Sequence, residues 1–353
     1  MKIAIISCYD QIDYIRTRVL RSAFAAVPGV ETIIVKNKHR GLLRYVEVPL
    51  KVLKLRFTKR PDVYVITFRG YEMLPFVLFV KGRKPLIFDE MINAAEYLYE
   101  HKRLRFGSVP DKLFRRFYGW LLRRCRFVLA DTEAHAQYSA ELCNVSISKF
   151  RTIPISTDET VFYPRSKPSK QKDFSVFYYG VMKRLHGLEY VLQAAMNLAD
   201  NPHIRFILGG DKGKSEAACK AAIKKGARIS YMPWVPFEEI PIIASQAGLT
   251  LGGPFGETLQ SQFVITTKTF QFLACRAPVL LGRNKVNEGF KDKQNCLVVP
   301  LDDAKAISQA IAWAYDHPKE LQKIAAEGRK LYETHFSQSI INQKITNIVE
   351  DLI

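Results

Sequence analysis

The chain has 353 residues, 48% hydrophobic, 12% aromatic and 25% charged, with 53 Lys and Arg against 34 Asp and Glu. This composition excludes intrinsic disorder, collagen-like repeats and fibrous architecture, and the length suits two domains, each with its own core. The formal charge of +19 points to a polyanionic partner: nucleic acid, an anionic membrane surface or phosphate-bearing substrates.

Strand-like runs of four to six apolar residues recur along the chain. In the first half they are Lys2–Ser7, Thr32–Val35, Val63–Thr67, Pro85–Phe88, Phe127–Ala130 and Thr152–Ile155. In the second half they are Ser175–Tyr179, Arg205–Leu208, Ile229–Met232, Leu249–Leu251, Pro278–Leu281 and Cys296–Val299. Little alternation within each run means burial on both faces, as in a parallel sheet. Helical-period segments such as Leu188–Leu198 and Ala304–Tyr315 lie between them, so the pattern predicts α/β architecture with doubly wound sheets. A polar stretch with two prolines, Phe162 to Asp173, predicts a linker at 158–172 between domains at 1–157 and 173–336. Apolar residues at 340, 341, 345, 348, 349 and 352 predict a closing amphipathic helix over 337–353, docked back on the first domain.

Cys8, Cys125, Cys143, Cys219, Cys275 and Cys296 form no CxxC pair, which excludes zinc ribbons and thioredoxin-like redox sites and suits a reducing compartment. Met1 leads straight into an apolar strand, with no signal-peptide pattern. The apolar stretch Met73–Val80 is far short of the ~20 residues of a membrane span. The expected place is the cytoplasm, peripheral on the inner membrane face.

The charge is uneven, with 28 basic and 14 acidic residues in 1–155. Segments 36–60 and 102–126 each carry nine basic residues, one acid and interleaved Leu and Phe, with Trp120 in the second. Solvated helix faces do not call for such a sign bias. The expected partner is an anionic membrane surface, and no nucleic acid is expected.

Phe174-Ser-Val-Phe-Tyr-Tyr-Gly180 reads as a strand ending at a glycine, and the loop that follows closes at Gly187 before a helix. A helix start presents unpaired N–H groups and partial positive charge, so this turn suits a phosphate, with Lys183, Arg184 and His186 in the loop. A second such turn is Gly252-Gly-Pro-Phe-Gly-Glu-Thr258, followed by a helix whose first turn holds Lys268 and, one turn on, Gln271. Thr266 or Thr267 is placed to cap that helix. Two phosphate-suited helix starts in one α/β domain describe a nucleotide-diphosphate crevice.

At these residues the chain resembles the GT-B-fold glycosyltransferases of the large, mostly retaining family 4. The stretch Ile153-Pro-Ile-Ser-Thr-Asp158, the 180–187 loop, Trp234 to Pro241, Lys268 to Val279 and the helix after Asp302 resemble its motifs in order. The resemblance implies two Rossmann-like domains facing across a cleft, an acceptor domain first and a donor-nucleotide domain second. It implies sugar transfer from a nucleoside-diphosphate sugar, with no other cofactor and no metal, to a lipid-linked, phosphate-bearing or lipopolysaccharide-type acceptor.

Residue by residue, Gly180, Lys183, Arg184, His186, Gly187, Phe255, Gly256, Thr258 and Gln271 fall at donor-binding positions, with Trp234 beneath the base. Lys268, Asp89 and Glu257 are the catalytic candidates. The chain departs from the family's pattern at four positions. Val181 stands where an Arg is common, His186 where a Lys is common, and Phe263 and Gln271 where two Glu are common. An amide oxygen still accepts from a ribose hydroxyl. In the first domain Asp89 and Glu90 follow the fourth strand, Asp131 to His135 read as cap chemistry, and Arg16, Arg18 and Arg21 suit an acceptor phosphate or an exposed face. An epimerase or phosphorylase on the same fold, or a non-catalytic binding protein, are the rival readings.

Overall fold

The computed structural model describes residues 1–11, 14–166, 173–180, 184–286 and 288–352. The chain divides into two compact units, one of residues 1–156 with 338–353, the other of 157–337.

The first unit runs β1 (Lys2–Ser7), α1 (Ile15–Ala25), β2 (Glu31–Lys36), α2 (Arg44–Thr58), β3 (Val63–Ile66), α3 (Leu74–Val80) and β4 (Leu86–Asp89). It continues with α4 (Ala94–Glu100), α5 (Val109–Arg123), β5 (Phe127–Ala130), α6 (Glu133–Cys143) and β6 (Phe150–Thr152). The strands form one parallel sheet in the order β2-β1-β3-β4-β5-β6. Alternation along β1 splits the core in two. Ala4 and Ile6 pack with Val48 and Val52 of α2, Val77 of α3 and Leu121 of α5. Ile3 and Ile5 pack on the other face with Val19, Leu20 and Phe24 of α1. β6 stops three residues earlier than its apolar pattern suggests, because Pro154 has no N–H to extend the ladder.

The second unit runs β7 (Phe174–Tyr179), α7 (Leu188–Asn197), β8 (Ile204–Gly209), α8 (Glu216–Lys224), β9 (Ile229–Met232), α9 (Ile240–Gln246) and β10 (Leu249–Leu251). It continues with α10 (Thr267–Ala274), β11 (Val279–Gly282), β12 (Leu297–Val299), α11 (Ala304–Asp316) and α12 (Pro318–His335). Its parallel sheet has the order β12-β11-β10-β7-β8-β9. The stretch read as a linker begins inside this unit. Phe162 is fully buried, 5.2 Å from Phe237 between ring centroids, and Tyr332 donates to Glu159 at 2.9 Å. Residues 167–172 of that stretch lie outside the described residues.

The last helix, α13 (Gln338–Glu350), belongs to the first unit and lies along α1, burying Ile341, Ile345, Ile348 and Val349. Among the described residues no helix is long and apolar enough to cross a membrane.

Candidate functional site

In the second sheet the strand order reverses between β7 and β10. Open parallel sheets bind ligands outside the carboxyl ends of the strands at such a switch point. The loops leaving these two strands are the glycine-bearing ones.

Gly180 ends β7 with φ +127° and donates to Gly209 O at 2.9 Å. Residues 181–183, Lys183 among them, lie outside the described residues. Arg184–His186 form one tight helical turn, and Gly187, with φ +61°, starts α7. A Cβ on Gly187 would fall 2.5 Å from Gly256 N, and one on Gly256 would fall 2.1 Å from Arg184 O. The two loops therefore touch backbone to backbone, and Gly256 N donates to Leu185 O at 3.1 Å. Only glycine permits that approach.

Both helix starts lack a side-chain cap. Gly187 has none to offer, and the Thr266 hydroxyl donates to Gly252 O at 2.5 Å instead of capping α10. The expected cap is thus used to tie the loop, leaving the first-turn N–H groups of α10 uncapped by a side chain. Beside that turn lies Lys268, only 6% exposed. Its Nζ is 3.3 Å from His186 Nδ1 and 4.8 Å from the Tyr178 ring centroid, and it is 3.7 Å from where a Gly180 Cβ would be. No carboxylate pairs with it among the described residues, and burial pushes its ammonium down to about 7 from the ordinary 10.5. An unpaired buried cation between a glycine loop and a helix start is an environment that favours an anion.

The other sequence-predicted residues fall around it. Gln271 is buried one turn on, and its Oε1 accepts from the Tyr179 hydroxyl. Trp234 follows β9, is 58% exposed and faces Lys212 Nζ at 5.7 Å. The Phe255 side chain is fully buried in the core, so only its backbone reaches the loop surface. Glu257 is exposed, and its amide donates to Asp302 Oδ1 at 2.6 Å. The Thr258 amide donates to Ser261 Oγ at 2.8 Å. The amides of Gly256, Glu257 and Thr258 thus have acceptors within the protein. Asp302, which in the sequence only marks the start of a motif helix, has a second role here. It sits at φ +56°, donates its own N–H to Phe255 O at 2.8 Å and holds the Glu257 amide, clamping the 252–258 loop from both sides. Its position just before α11 was visible; its role required knowing where the loop comes to rest.

The first-unit candidates are organised differently. Asp89 is fully buried in an ion pair with Arg16: Nη2 donates to Oδ1 at 2.9 Å and Nε at 3.1 Å. Arg16 also donates to Ile153 O at 2.7 Å and Pro154 O at 2.8 Å. Arg16 is therefore an internal brace, neither an exposed face nor an anion grip. The cap of α4 is Asn93, not Asp89. Glu90 is buried and accepts from Tyr118 and Ser139, each at 2.6 Å. Thr132 caps α6 as expected, accepting from His135 N at 3.0 Å. His135 is buried with Nδ1 2.8 Å from Asp131. Burial opposes its charge, yet Asp131, Glu96 and Glu90 outweigh that and raise it to about 9.

Residues 189–345 match the family model described as glycosyl transferase-like. No curated protein matches the chain in sequence. Among solved structures, HepE of Anabaena in complex with UDP-glucose is similar at a TM-score of 0.75 and 14% identity, over 99% of this chain and 100% of that one. The sucrose-phosphate synthase of Thermosynechococcus elongatus is similar at 0.77 and 15%, over 100% and 99%. The lipopolysaccharide outer core galactosyltransferase WaaB is similar at 0.68 and 12%, over 100% of both. With two parallel six-stranded sheets shared in fold along the whole chain, this protein has the GT-B fold, and the part of it that frames Lys268 matches the glycosyl transferase-like family model.

Proposed function

We propose that the protein transfers a sugar, with retention and in the manner of family 4, from a nucleoside-diphosphate sugar to a membrane-borne acceptor of the lipid-linked or lipopolysaccharide type. The observation that carries the reading is Lys268, a buried ammonium with no carboxylate partner among the described residues, beside an uncapped helix start at the sheet's switch point. Negative charge builds on the leaving diphosphate as the bond to the anomeric carbon breaks. Lys268, Arg184 and the first-turn N–H groups of α10 and α7 meet that charge in a site that needs no reorganisation. The reading gives this work to side chains and helix ends rather than to a metal ion. Gln271 takes a ribose hydroxyl, the base lies by Trp234, and the exposed Glu257 holds a sugar hydroxyl. Asp89, committed to Arg16 in a buried ion pair, supports the first sheet.

That HepE is seen with UDP-glucose supports a uridine diphosphate donor here. Retention agrees with a site in which, among the described residues, no carboxylate base pairs with Lys268. The helices α2 and α5, basic and apolar on their outer faces, support a membrane-borne acceptor and a peripheral position on the inner membrane face.

A thermal-shift series with nucleoside diphosphates and their sugars tests the donor. A ligand at about 100 times its Kd adds about 2.7 kcal/mol of stability. The expected result is a clear rise in Tm with UDP or UDP-sugars that is lost in Lys268→Ala. No shift with any nucleotide, or an equal shift in the variant, would overturn the reading.

A further inference from the structure

The first unit has its own switch point, between β1 and β3, and the loops after these strands line a cavity of about 600 Å³. Arg44, Arg69 and Arg103 reach its wall. Arg69 sits at φ +56°, a conformation that a non-glycine side chain adopts only where its surroundings impose it. Its guanidinium carbon lies 4.7 Å from the Tyr97 ring centroid and 5.5 Å from that of Tyr9, and Nη2 donates to the Tyr71 hydroxyl at 3.0 Å. Two acids share the wall. Asp10 accepts from Arg44, and Glu72 accepts from the Tyr45 hydroxyl at 3.3 Å. Arg69 and Arg103 have no carboxylate at ion-pair distance among the described residues. Glu72 feels the Arg69 charge without pairing with it, and three guanidinium groups against two acids leave the wall net cationic, with the planar forks of Arg69 and Arg103 matched to phosphate oxygens.

One wall is apolar, built from Phe114, Phe117 and Leu121 of α5. Phe117 also belongs to an outer stripe on that helix, where Val109 is 69%, Leu113 64% and Phe117 50% exposed. α2 repeats the pattern with Val46, Leu50, Leu53 and Phe57 outward, while Val48, Val52 and Leu55 face the sheet. The inner residues of both helices join the same core layer, so both outer stripes look away from one face of the sheet. A cationic cavity whose apolar wall continues into two exposed apolar stripes fits an amphiphile with an anionic head. A small soluble anion has no use for the stripes.

We propose that this cavity receives the phosphate of a single lipid drawn from an anionic bilayer, the anchor of the lipid-linked acceptor, with its hydrocarbon chain leaving over Phe117. The word acceptor rests on the transfer reading above; the lipid-phosphate site rests on first-unit residues alone. Calorimetric titration of the full chain with decyl phosphate, inorganic phosphate and decanol separates the sources. Decyl phosphate is expected to bind at least about tenfold more tightly than either fragment. Arg69→Gln and Arg103→Gln each weaken it about 10- to 100-fold, as loss of a charged hydrogen bond does. Lys268→Ala leaves it unchanged. Inorganic phosphate binding as tightly as decyl phosphate, or wild-type affinity in both arginine variants, would overturn the proposal. If decyl phosphate fails while UDP still depends on Lys268, only this inference falls. If decyl phosphate depends on Arg69 while no nucleotide binds, the lipid site stands and the transfer reading falls.

Discussion

Lys268 links burial to proton chemistry. Its pKa near 7 in the folded chain, against 10.5 when exposed, means that across this window the unfolded chain holds a proton the native chain lacks. Stability therefore rises with pH from about 7 to about 10.5, and Lys268→Met should abolish that rise in urea unfolding series. A bound diphosphate restores the charge, so UDP binding near pH 8 should take up protons. Calorimetry in buffers of different ionisation enthalpy reads this directly, and Lys268→Met should show none. The same variant should lower transfer by about 100-fold or more, the usual cost of removing one preorganised electrostatic donor. His135 has the opposite sign. Held up at about 9 by Asp131, it contributes stability below its ordinary 6.5 that is lost as pH rises through 9. His135→Gln leaves the Asp131 carboxylate buried without its cation, for a loss of about 3–5 kcal/mol near pH 6, measurable as a lower urea midpoint.

At the scale of elements, two features follow from where helices and loops come to rest. Gly187 has a left-handed backbone, and an added Cβ would fall 2.5 Å from Gly256 N, so Gly187→Ala meets both a conformational penalty of about 1–2 kcal/mol and a clash with the 252–258 loop. The expected outcome is a folded protein by circular dichroism with UDP affinity reduced about tenfold or more, because the loops that shape the anion site can no longer touch. The helices α2 and α5 are amphipathic twice over, apolar both toward the sheet and toward solvent, with Lys51, Lys54, Arg56, Lys112, Arg116 and Arg123 between the faces. Each basic residue near an anionic leaflet contributes about 1 kcal/mol, and that attraction is screened by salt. Co-sedimentation with vesicles containing phosphatidylglycerol should fall steeply with salt and be weak with phosphatidylcholine alone. Leu50→Glu combined with Leu113→Glu should abolish it without lowering Tm, since both side chains are exposed. Undiminished binding in that double variant would rule out insertion of the stripes.

For the whole molecule, the first unit is completed by the last helix of the chain. Ile341, Ile345, Ile348 and Val349 fill the face of α1 that carries Val19, Leu20 and Phe24. Burying four such side chains is worth about 6–12 kcal/mol at 1.5–3 kcal/mol each, comparable to the net stability of a domain. Truncation after Ser337 should therefore unfold the first unit. Limited proteolysis should then cut within 1–156 while residues 157–337, whose sheet and helices are intact, remain protected.

The twelve strands and the closing helix were legible because buried parallel strands are short unbroken apolar runs, a local signal. The places of the two glycine loops and of Lys268 in the first turn of α10 were legible because a strand ending at a glycine before a helix start is a local pattern. What the sequence could not determine is which partner each polar residue takes. Asp89 and Arg16 are 73 residues apart in sequence, and only the sheet brings them to 2.9 Å. Thr266 turns from capping its helix to tying Gly252, and Asp302 claims the Glu257 amide, because in each case a closer acceptor or donor arrives from another element. Phe162, polar-flanked in sequence, is buried because Phe237 of the same unit lies against it. Local pattern decides which elements form. Hydrogen bonds and ion pairs are decided by distances that exist only once those elements have packed, since each buried polar group takes whichever partner the fold delivers.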